Sequence, residues 1–304
     1  KLLWTFVDGD FLYFIDSTYA LYEYDLNNHK AYFIADMEAE ILRRGEVSSI
    51  IKQKTDYFIG FKSSGLIQLK YMPDSKVKYS LQSINVQSGI FCLMKDRFQD
   101  IISVGADSLR LYMYFTDEFS IDNIMLDVPE YRVDNPVRAL YQDQDQTLWI
   151  GTKGGGILKM FDFHPDMETL PRAERILASN SPLMDNSVYS FAPSRRKLLW
   201  IGTESGLNYY SYSQKRIQEF PVMADGKMVK YVHSVRETND STLWVVSAGE
   251  GIVKIILDAT SLLPKVKSAR RFTLDGGKRN SNYFFVSFQE NDSVIWFGNR
   301  GYGA

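Results

Sequence analysis

The segment Leu148-Trp149-Ile150-Gly151-Thr152 decides the fold, because copies of it recur along the chain. Leu199-Trp200-Ile201-Gly202-Thr203 repeats it closely, and weaker copies begin at Leu243 and Ile295. With three degraded copies upstream, the fourth residue of this phrase stands at positions 15, 60, 105, 151, 202, 246 and 298. The successive intervals are 45, 45, 46, 51, 44 and 52 residues. Periods of this length are typical of solenoids, propellers and arrays of small units.

The content of one period predicts four β-strands. In the fifth repeat, β-branched and aromatic runs at 187–191, 198–202, 207–210 and 216–220 are separated by polar or glycine-containing turns. Helical repeats would need a 3.6-residue periodicity, which we find only over 37–44. The sequence therefore predicts an all-β, seven-bladed β-propeller of four-stranded antiparallel blades, with the last blade incomplete.

The repeats predict a single domain over 1–304, although two domains would be ordinary at this length. The expected repeat boundaries are 1–45, 46–88, 89–133, 134–184, 185–228, 229–280 and, in part, 281–304. The chain opens at Lys1 inside a predicted strand, and the seventh repeat has sequence for two strands. We therefore expect a piece of a longer polypeptide or a truncated seventh blade.

The phrase has the residues that a blade core needs. Its tryptophans stand at one strand position per repeat, which favours packing wedges over sugar-stacking platforms. The glycine at its fourth position predicts close backbone approach. We also expect Trp4 and the lone cysteine, Cys92, in the core. Asn239-Asp240-Ser241 and Asn291-Asp292-Ser293 match the glycosylation triplet but are interpreted as turn formers.

Two stretches resemble a known family, the two-component regulator propeller repeat. They are 134–143 followed by 148–156, and 185–191 followed by 199–206. The resemblance implies the periplasmic sensor region of a Bacteroides-type hybrid two-component histidine kinase, anchored in the inner membrane and sensing glycan-derived oligosaccharides. It further implies another propeller and a membrane-proximal domain in the same chain, and a homodimer.

The sequence offers little catalytic chemistry. His29, His164 and His233 do not show metal-ligand spacing, so we expect no metal and no cofactor. A net charge of −2 without a basic run argues against nucleic acid as a partner. A carboxylate pair such as Glu204 with Glu250 stays open, because glycoside hydrolysis uses two carboxylates. A propeller-fold polysaccharide lyase or glycosidase, or a protein-interaction scaffold, are therefore the alternatives to a non-catalytic sensor.

A ligand is expected at the loops that join second to third strands and at the loops between blades, because loops on a rigid scaffold often carry function. The predicted contacts are Lys153, Glu204, Glu250, Arg300, Tyr302, Arg138 and His233. The wider set in these loops adds Tyr19, Lys62, Asp107, Asn135 and Asn186.

Overall fold

The computed structural model describes residues 2–84, 86, 88–97, 101–106, 111–115, 120–123, 135–163, 172–274 and 281–299, with only the backbone at 101–104, 111–115 and 120–123. The chain divides into two compact units. One contains residues 1–148 and 160–173, and the other contains residues 149–159 and 174–304.

The first unit contains three four-stranded antiparallel sheets, each made of consecutive strands. The strands are β1 (Leu2–Asp8), β2 (Phe11–Asp16), β3 (Ala20–Asp25), β4 (Lys30–Asp36), β5 (Val47–Gln53), β6 (Asp56–Phe61), β7 (Leu66–Tyr71), β8 (Tyr79–Ile84), β9 (Ile90–Lys95), β10 (Ile101–Ala106), β11 (Leu111–Phe115) and β12 (Ser120–Asn123). Helix α1 (Glu38–Arg44) links the first two sheets, as the 3.6-residue pattern predicts. Strand β13 (Val137–Gln142) also belongs here.

The second unit contains two complete four-stranded sheets, β17–β20 and β23–β26, and two pairs, β21–β22 and β27–β28. Its strands are β14 (Leu148–Thr152), β15 (Ile157–Met160), β16 (Ala173–Ile176), β17 (Val188–Pro193), β18 (Leu198–Thr203), β19 (Leu207–Ser211), β20 (Arg216–Phe220), β21 (Met223–Ala224), β22 (Lys227–Met228), β23 (Val232–Asn239), β24 (Thr242–Ser247), β25 (Gly251–Leu257), β26 (Val266–Phe272), β27 (Phe284–Gln289) and β28 (Ile295–Asn299). A few residues at the ends of β14, β15 and β16 fall in the first unit.

The fold class is confirmed: the chain is an all-β propeller with four-stranded antiparallel blades. The phrase occupies the second strand of its repeat, including the degraded copies around Ile15, Gly60 and Gly105. The seven-blade count is not confirmed, because five four-stranded sheets lie whole within one unit or the other.

Glycine occupies the fourth position of the phrase because the next repeat crowds this position. A methyl group added at Gly202 would lie 2.5 Å from the carbonyl oxygen of Val232, at the start of the next innermost strand. At Gly60 it would lie 2.6 Å from the side chain of Ile90. Both distances are below van der Waals contact, so the predicted close approach is confirmed.

The core lies between successive blades rather than inside one sheet. Trp200 is fully buried in a cluster with Val235 and Val245 of the following repeat. Trp149 is equally buried, and its ring meets Tyr210 of the next repeat at 4.8 Å. Trp4 is partly buried against the core of the first two repeats. The wedge interpretation is confirmed for Trp149 and Trp200 but is wrong for Trp296, which is 48% exposed.

The interpretation of the two glycosylation triplets as turn formers is confirmed. Asn239 accepts hydrogen bonds from the Ser241 amide and hydroxyl at 3.0 Å. Asn291 accepts from the amides of Ser293 and Val294 at 2.9 and 3.0 Å. Each asparagine therefore closes the turn that joins the first two strands of its repeat.

Candidate ligand-binding site at the innermost strands

A β-bulge opens the innermost strand in repeats of both units. The pairing of β17 with β18 shifts between Val188 and Ser190, so Tyr189 is the extra residue. A bulge breaks the regular alternation of a strand and re-aims a side chain. In five further innermost strands the extra residues are Leu3, Ser48, Phe91, His233 and Phe285.

The three bulge residues of the second unit form one aromatic stack. The rings of Tyr189 and His233 are parallel within 12°, with 4.3 Å between their centroids. Phe285 meets the His233 ring edge-on, at 5.0 Å and 81°. Offset stacking and edge-on contact are the arrangements that aromatic quadrupoles favour. Phe285 is 37% exposed and the other two residues are half-buried, so the stack reaches the surface.

Glu204 ties a second-to-third-strand loop to this stack. The Tyr189 hydroxyl donates to Glu204 Oε2 at 2.9 Å. The Glu204 amide donates to the carbonyl of Ser187 at 3.0 Å, and the Glu204 carbonyl accepts from the Tyr231 amide at 2.8 Å. Two predicted contacts, Glu204 and His233, are therefore brought together through Tyr189.

Glu250 has a different set of partners. Its carboxylate forms an ion pair with Arg271 Nη1 at 3.0 Å and accepts from the Lys230 amide at 3.3 Å. Arg271 Nη1 also donates to the Glu250 carbonyl at 3.0 Å. Within the described residues, these contacts fix a loop of the sixth repeat and do not join Glu250 to Glu204. Lys153 forms a backbone bridge to Ser187, and its side chain is exposed.

A second, smaller cluster lies in the first unit. The Arg138 guanidinium sits 3.4 Å from the centroid of the Phe91 ring, in a cation–π arrangement. Arg138 is the second residue of β13, the place that Tyr189 holds in β17. The predicted contacts Arg300 and Tyr302, together with Asp107 and His164, lie outside the described residues.

Two members of the wider loop set hold structural positions. The Asn186 carbonyl accepts from the amides of Gly154 and Gly156, and its Oδ1 accepts from the Ala178 amide at 2.8 Å. Lys62 forms an exposed ion pair with Glu46 at 2.6 Å. Asn186 thus shapes a turn, and its role as a ligand contact stays a prediction.

Cys92 lies beside the next repeat. It is partly buried, its thiol is 3.8 Å from the Val137 carbonyl oxygen, and burial raises the pKa of that thiol to about 12. Burial also lowers the pKa of Arg236, whose Nη2 donates to the Ser287 carbonyl at 3.1 Å. These groups belong to the contacts between neighbouring repeats, so they are structural.

Sequence reasoning missed Tyr189, Phe285 and Phe91. Sequence reasoning places ligand contacts in loops, whereas each of these residues is the second residue of an innermost strand. A signal does exist, because a large aromatic or charged residue follows the first apolar residue of these strands in Val188-Tyr189, Val232-His233 and Phe284-Phe285. The bulge that turns these side chains aside is not visible in the sequence.

The stack combines aromatic surface with an imidazole and a carboxylate. Small-molecule sites are typically apolar and aromatic, with a few polar groups that fix orientation. Within the described residues, no group of three or more His, Cys, Asp and Glu side chains is placed to hold a metal ion. No described helix is both long and apolar enough to span a membrane.

Comparison with known protein families matches residues 132–154 to the two component regulator propeller. This stretch of the chain is thus similar to a two component regulator propeller repeat. The match includes all of β13 and the phrase at 148–152, on which the sequence resemblance rests. No curated protein sequence matches the chain.

Solved structures show the same fold at low identity. PorZ of Porphyromonas gingivalis, a surface component of its type-IX secretion system, aligns with a TM-score of 0.65 and 12% identity, over 97% of this chain and 45% of PorZ. Hsv2 of Kluyveromyces lactis aligns with a TM-score of 0.60 and 13% identity, over 96% of this chain and 87% of Hsv2.

An extracellular domain from B. thetaiotaomicron, of a protein assigned as a hybrid two component system, aligns over 97% of this chain and 51% of its own length. Its identity is 16% and its TM-score 0.39, too low to support a structural argument. The chain thus spans about half the length of this domain and of PorZ.

Proposed function

We propose that this chain is the extracytoplasmic ligand-sensing propeller of a hybrid two-component sensor histidine kinase and that it detects a glycan-derived oligosaccharide. The match of residues 132–154 to the two component regulator propeller carries this proposal. The B. thetaiotaomicron domain, which aligns with this chain at 16% identity, is itself extracellular. The proposal includes a seven-bladed ring over 1–304, a periplasmic location and an inner-membrane anchor elsewhere in the parent protein.

The aromatic stack supports a sugar as the ligand. Pyranose rings have apolar C–H faces that pack on aromatic side chains, and hydroxyl groups that need acceptors and donors. Phe285 and Tyr189 provide aromatic surface, and Glu204 Oε2 lies 2.9 Å from the Tyr189 hydroxyl. The His233 imidazole can donate or accept according to its tautomer.

The domain itself is proposed to be non-catalytic. Glycosidases need two carboxylates on either side of one bond. Glu204 and Glu250, the pair that the sequence leaves open, have separate partners in Tyr189 and Arg271. Enzymatic activity therefore belongs to the kinase of the parent protein in this proposal.

Signalling is proposed to act through interfaces between domains. A sheet packed on both faces is stiff, whereas contacts between domains are smaller and softer. Ligand binding would change how this propeller meets a further propeller and the membrane-proximal domain in a homodimer. Because a second propeller or protomer would complete the site in this proposal, we expect residues 1–304 alone to bind an oligosaccharide weakly or not at all.

The test is calorimetry of the purified chain against a panel of host and dietary oligosaccharides. A binding oligosaccharide should lose about tenfold or more in affinity on Phe285→Ala and on Tyr189→Ala, because hot-spot aromatics carry most binding energy. Tyr189→Phe keeps the ring and removes the Glu204 contact, so it should lose less. Phe33→Ala, an exposed aromatic of the first unit, is the matched control and should change nothing.

Two outcomes would overturn this proposal. Turnover of a glycan by the purified chain would favour the lyase or glycosidase alternative. The second outcome is a failure of the panel to produce any response in cells that carry the intact sensor and a transcriptional reporter. That result would favour the alternative of a protein-interaction scaffold.

A further inference from the structure

The loop between the third and fourth strands of the sixth repeat is longer and more apolar than its counterpart in the fifth. It contains eight residues, 258–265, whereas the turn at 212–215 in the fifth repeat contains four. Near the middle of the longer loop, Leu262 is 95% exposed and Leu263 is 39% exposed. Turns between strands are ordinarily polar, so two adjacent exposed leucines in this loop indicate a function.

Hydrogen bonds within the loop fix its shape. The Asp258 amide donates to the Lys265 carbonyl at 2.9 Å, which closes the base of the loop. The amide and hydroxyl of Thr260 donate to Asp258 Oδ1 at 2.9 and 2.7 Å. Pro264, directly after the two leucines, is buried. The leucines are therefore presented by a preformed loop, which lowers the entropic cost of binding through them.

Arg196 joins this loop to the turns beside it. Its Nη1 donates to the Ser261 carbonyl at 3.1 Å, and its Nη2 donates to the Asp258 carbonyl at 3.1 Å. The same Nη2 also donates to the Asp240 carbonyl. The turns that join first to second strands in the fifth and sixth repeats therefore lie next to the loop, and the three segments form one surface.

This loop surface, made of residues 194–197, 239–241 and 258–267, is strongly basic. Its cationic side chains are Arg195, Arg196, Lys197, Lys265 and Lys267, and its anionic side chains are Asp240 and Asp258. Five cations and two anions give it a net charge of +3, whereas the whole chain has a net charge of −2. All of these cations except Arg196 are exposed. The positive charge of the chain is thus concentrated around the exposed leucines.

Two of the lysines directly follow the leucines. Lys265 ends the loop, and Lys267 is the extra residue of a β-bulge in the pairing of β25 with β26. A bulge re-aims the side chain that it leaves unpaired. Hydrogen bonds from Thr260 lower the pKa of Asp258, and the nearby charges of Lys265 and Lys267 lower it further. The lysine charges therefore lie close to the loop rather than farther along the sheet.

We propose that the loop surface binds an anionic phospholipid bilayer. Leu262 enters the boundary between headgroups and acyl chains, and Lys265 and Lys267 contact the phosphate groups of the lipids. Apolar side chains flanked by lysine and arginine are the combination that binds such interfaces. This inference does not depend on the proposed sensory function or on the ligand that the propeller detects.

The composition of the surface favours a bilayer over a protein partner. A stable protein interface buries about 800 Å² on each partner, and its binding energy comes mainly from tryptophan, tyrosine and arginine, with leucine under-represented. The segments 194–197, 239–241 and 258–267 contain no aromatic residue. A protruding leucine among cations instead complements a surface that is anionic outside and apolar beneath.

The test is co-sedimentation of residues 1–304 with lipid vesicles. The chain should bind vesicles of phosphatidylcholine and phosphatidylglycerol in equal amounts, and bind phosphatidylcholine vesicles several-fold less. Added salt should weaken binding, because it screens exposed charges. Leu262→Ser should lower the partition coefficient about tenfold, since it removes the apolar group that enters the lipid. Lys265→Gln combined with Lys267→Gln should also lower it about tenfold.

Matched variants control for the loss of any leucine or any pair of lysines. Leu42→Ser changes a leucine that is 74% exposed on α1, and Lys62→Gln with Lys227→Gln changes two exposed lysines elsewhere. Both variants should bind the mixed vesicles as the unchanged chain does. Leu262→Trp reports insertion directly, because its added fluorescence should shift to the blue when the mixed vesicles are present.

Three results would overturn the proposal. The first is no binding of the unchanged chain to the mixed vesicles, and the second is equal binding by Leu262→Ser. The third is self-association of the unchanged chain in sedimentation velocity that Leu262→Ser abolishes, since a second copy would then occupy the loop surface. Because Leu262 is exposed, the thermal unfolding midpoint of Leu262→Ser should equal that of the unchanged chain, so misfolding does not explain lost binding.

Discussion

The fifth and seventh repeats contain the same phrase, yet their tryptophans have different surroundings. Trp200 and Trp296 each donate an indole N–H to a glutamate, Glu237 at 2.9 Å and Glu290 at 2.6 Å. Trp200 is fully buried, whereas Trp296 is 48% exposed. Glu237 belongs to the following repeat, whereas Glu290 belongs to the same hairpin as Trp296.

The difference shows that the phrase alone does not make a core. It specifies a second strand with an apolar side chain on each face, but burial comes from the outer strands and from the next repeat. Tyr209 and Phe220 provide the first kind of cover for Trp200, and Val235 provides the second. A repeat protein is stabilised largely by such neighbour contacts.

The largest expected effect separates the two tryptophans. Trp200→Ala should lower the free energy of unfolding by about 3–5 kcal/mol, because it removes a fully buried ring and leaves a cavity. Trp296→Ala should cost less than about 1 kcal/mol, since that ring is half in solvent. Urea unfolding of both variants measures the contrast, and equal losses would show that the two sites are equivalent.

The next effect concerns the contact of the fifth repeat with the sixth. Gly202→Ala should cost about 3 kcal/mol, because its methyl group meets backbone, the Val232 carbonyl oxygen, at 2.5 Å. Gly151→Ala should cost less, since it meets the Val188 side chain at 2.8 Å and side chains can shift. Gly226→Ala is the control, with open space around it and a cost of about 1 kcal/mol from its positive φ. A larger loss of stability for Gly151→Ala than for Gly202→Ala, measured by thermal unfolding, would contradict this account.

A third prediction extends the comparison to the third repeat, where Cys92 takes part in the same kind of contact. Burial raises the pKa of the Cys92 thiol in the folded state to about 12. The stabilisation that comes from burying the neutral thiol is therefore complete below about pH 9 and is lost as the pH rises toward 12. At about pH 10.5 the free energy of unfolding should be up to about 2 kcal/mol lower for this reason. Buried tyrosines also make the protein less stable as the pH rises, so the unchanged protein is compared with the Cys92→Ala variant. If the two proteins lose stability equally between pH 8 and 10.5, the thiol is not desolvated.

The smallest effect concerns the two indole hydrogen bonds. Glu237→Gln should cost about 1 kcal/mol, because a part-buried acceptor of Trp200 and of the Arg195 amide loses its charge. Glu290→Gln should cost less than about 0.5 kcal/mol, because this hydrogen bond is exposed to solvent and the glutamine amide oxygen can still accept it. Differential scanning calorimetry of both variants would distinguish them, and a larger loss at Glu290 would reverse the comparison.

Much of the fold was predictable, because it repeats. Seven copies of one pattern identify the second strands, and the turn residues around Asn239 and Asn291 identify the hairpins. The exposure of the Trp296 side chain was not predictable from the sequence, since it depends on other strands of the repeat. For the site, Glu204 and His233 were predicted but Tyr189 and Phe285 were not, because a one-residue bulge re-aims them. The positions of Arg300 and Tyr302 stay predictions.

Amide hydrogen exchange of residues 1–304 tests the central claim most directly, by comparing β18 with β28 in one sample. We predict slow exchange throughout Leu198–Thr203, which pairs on both sides, and fast exchange at those amides of Ile295–Asn299 that do not bond to β27. Equal protection of the two strands would contradict the claim that the outer strands, rather than the phrase, set the difference between the repeats.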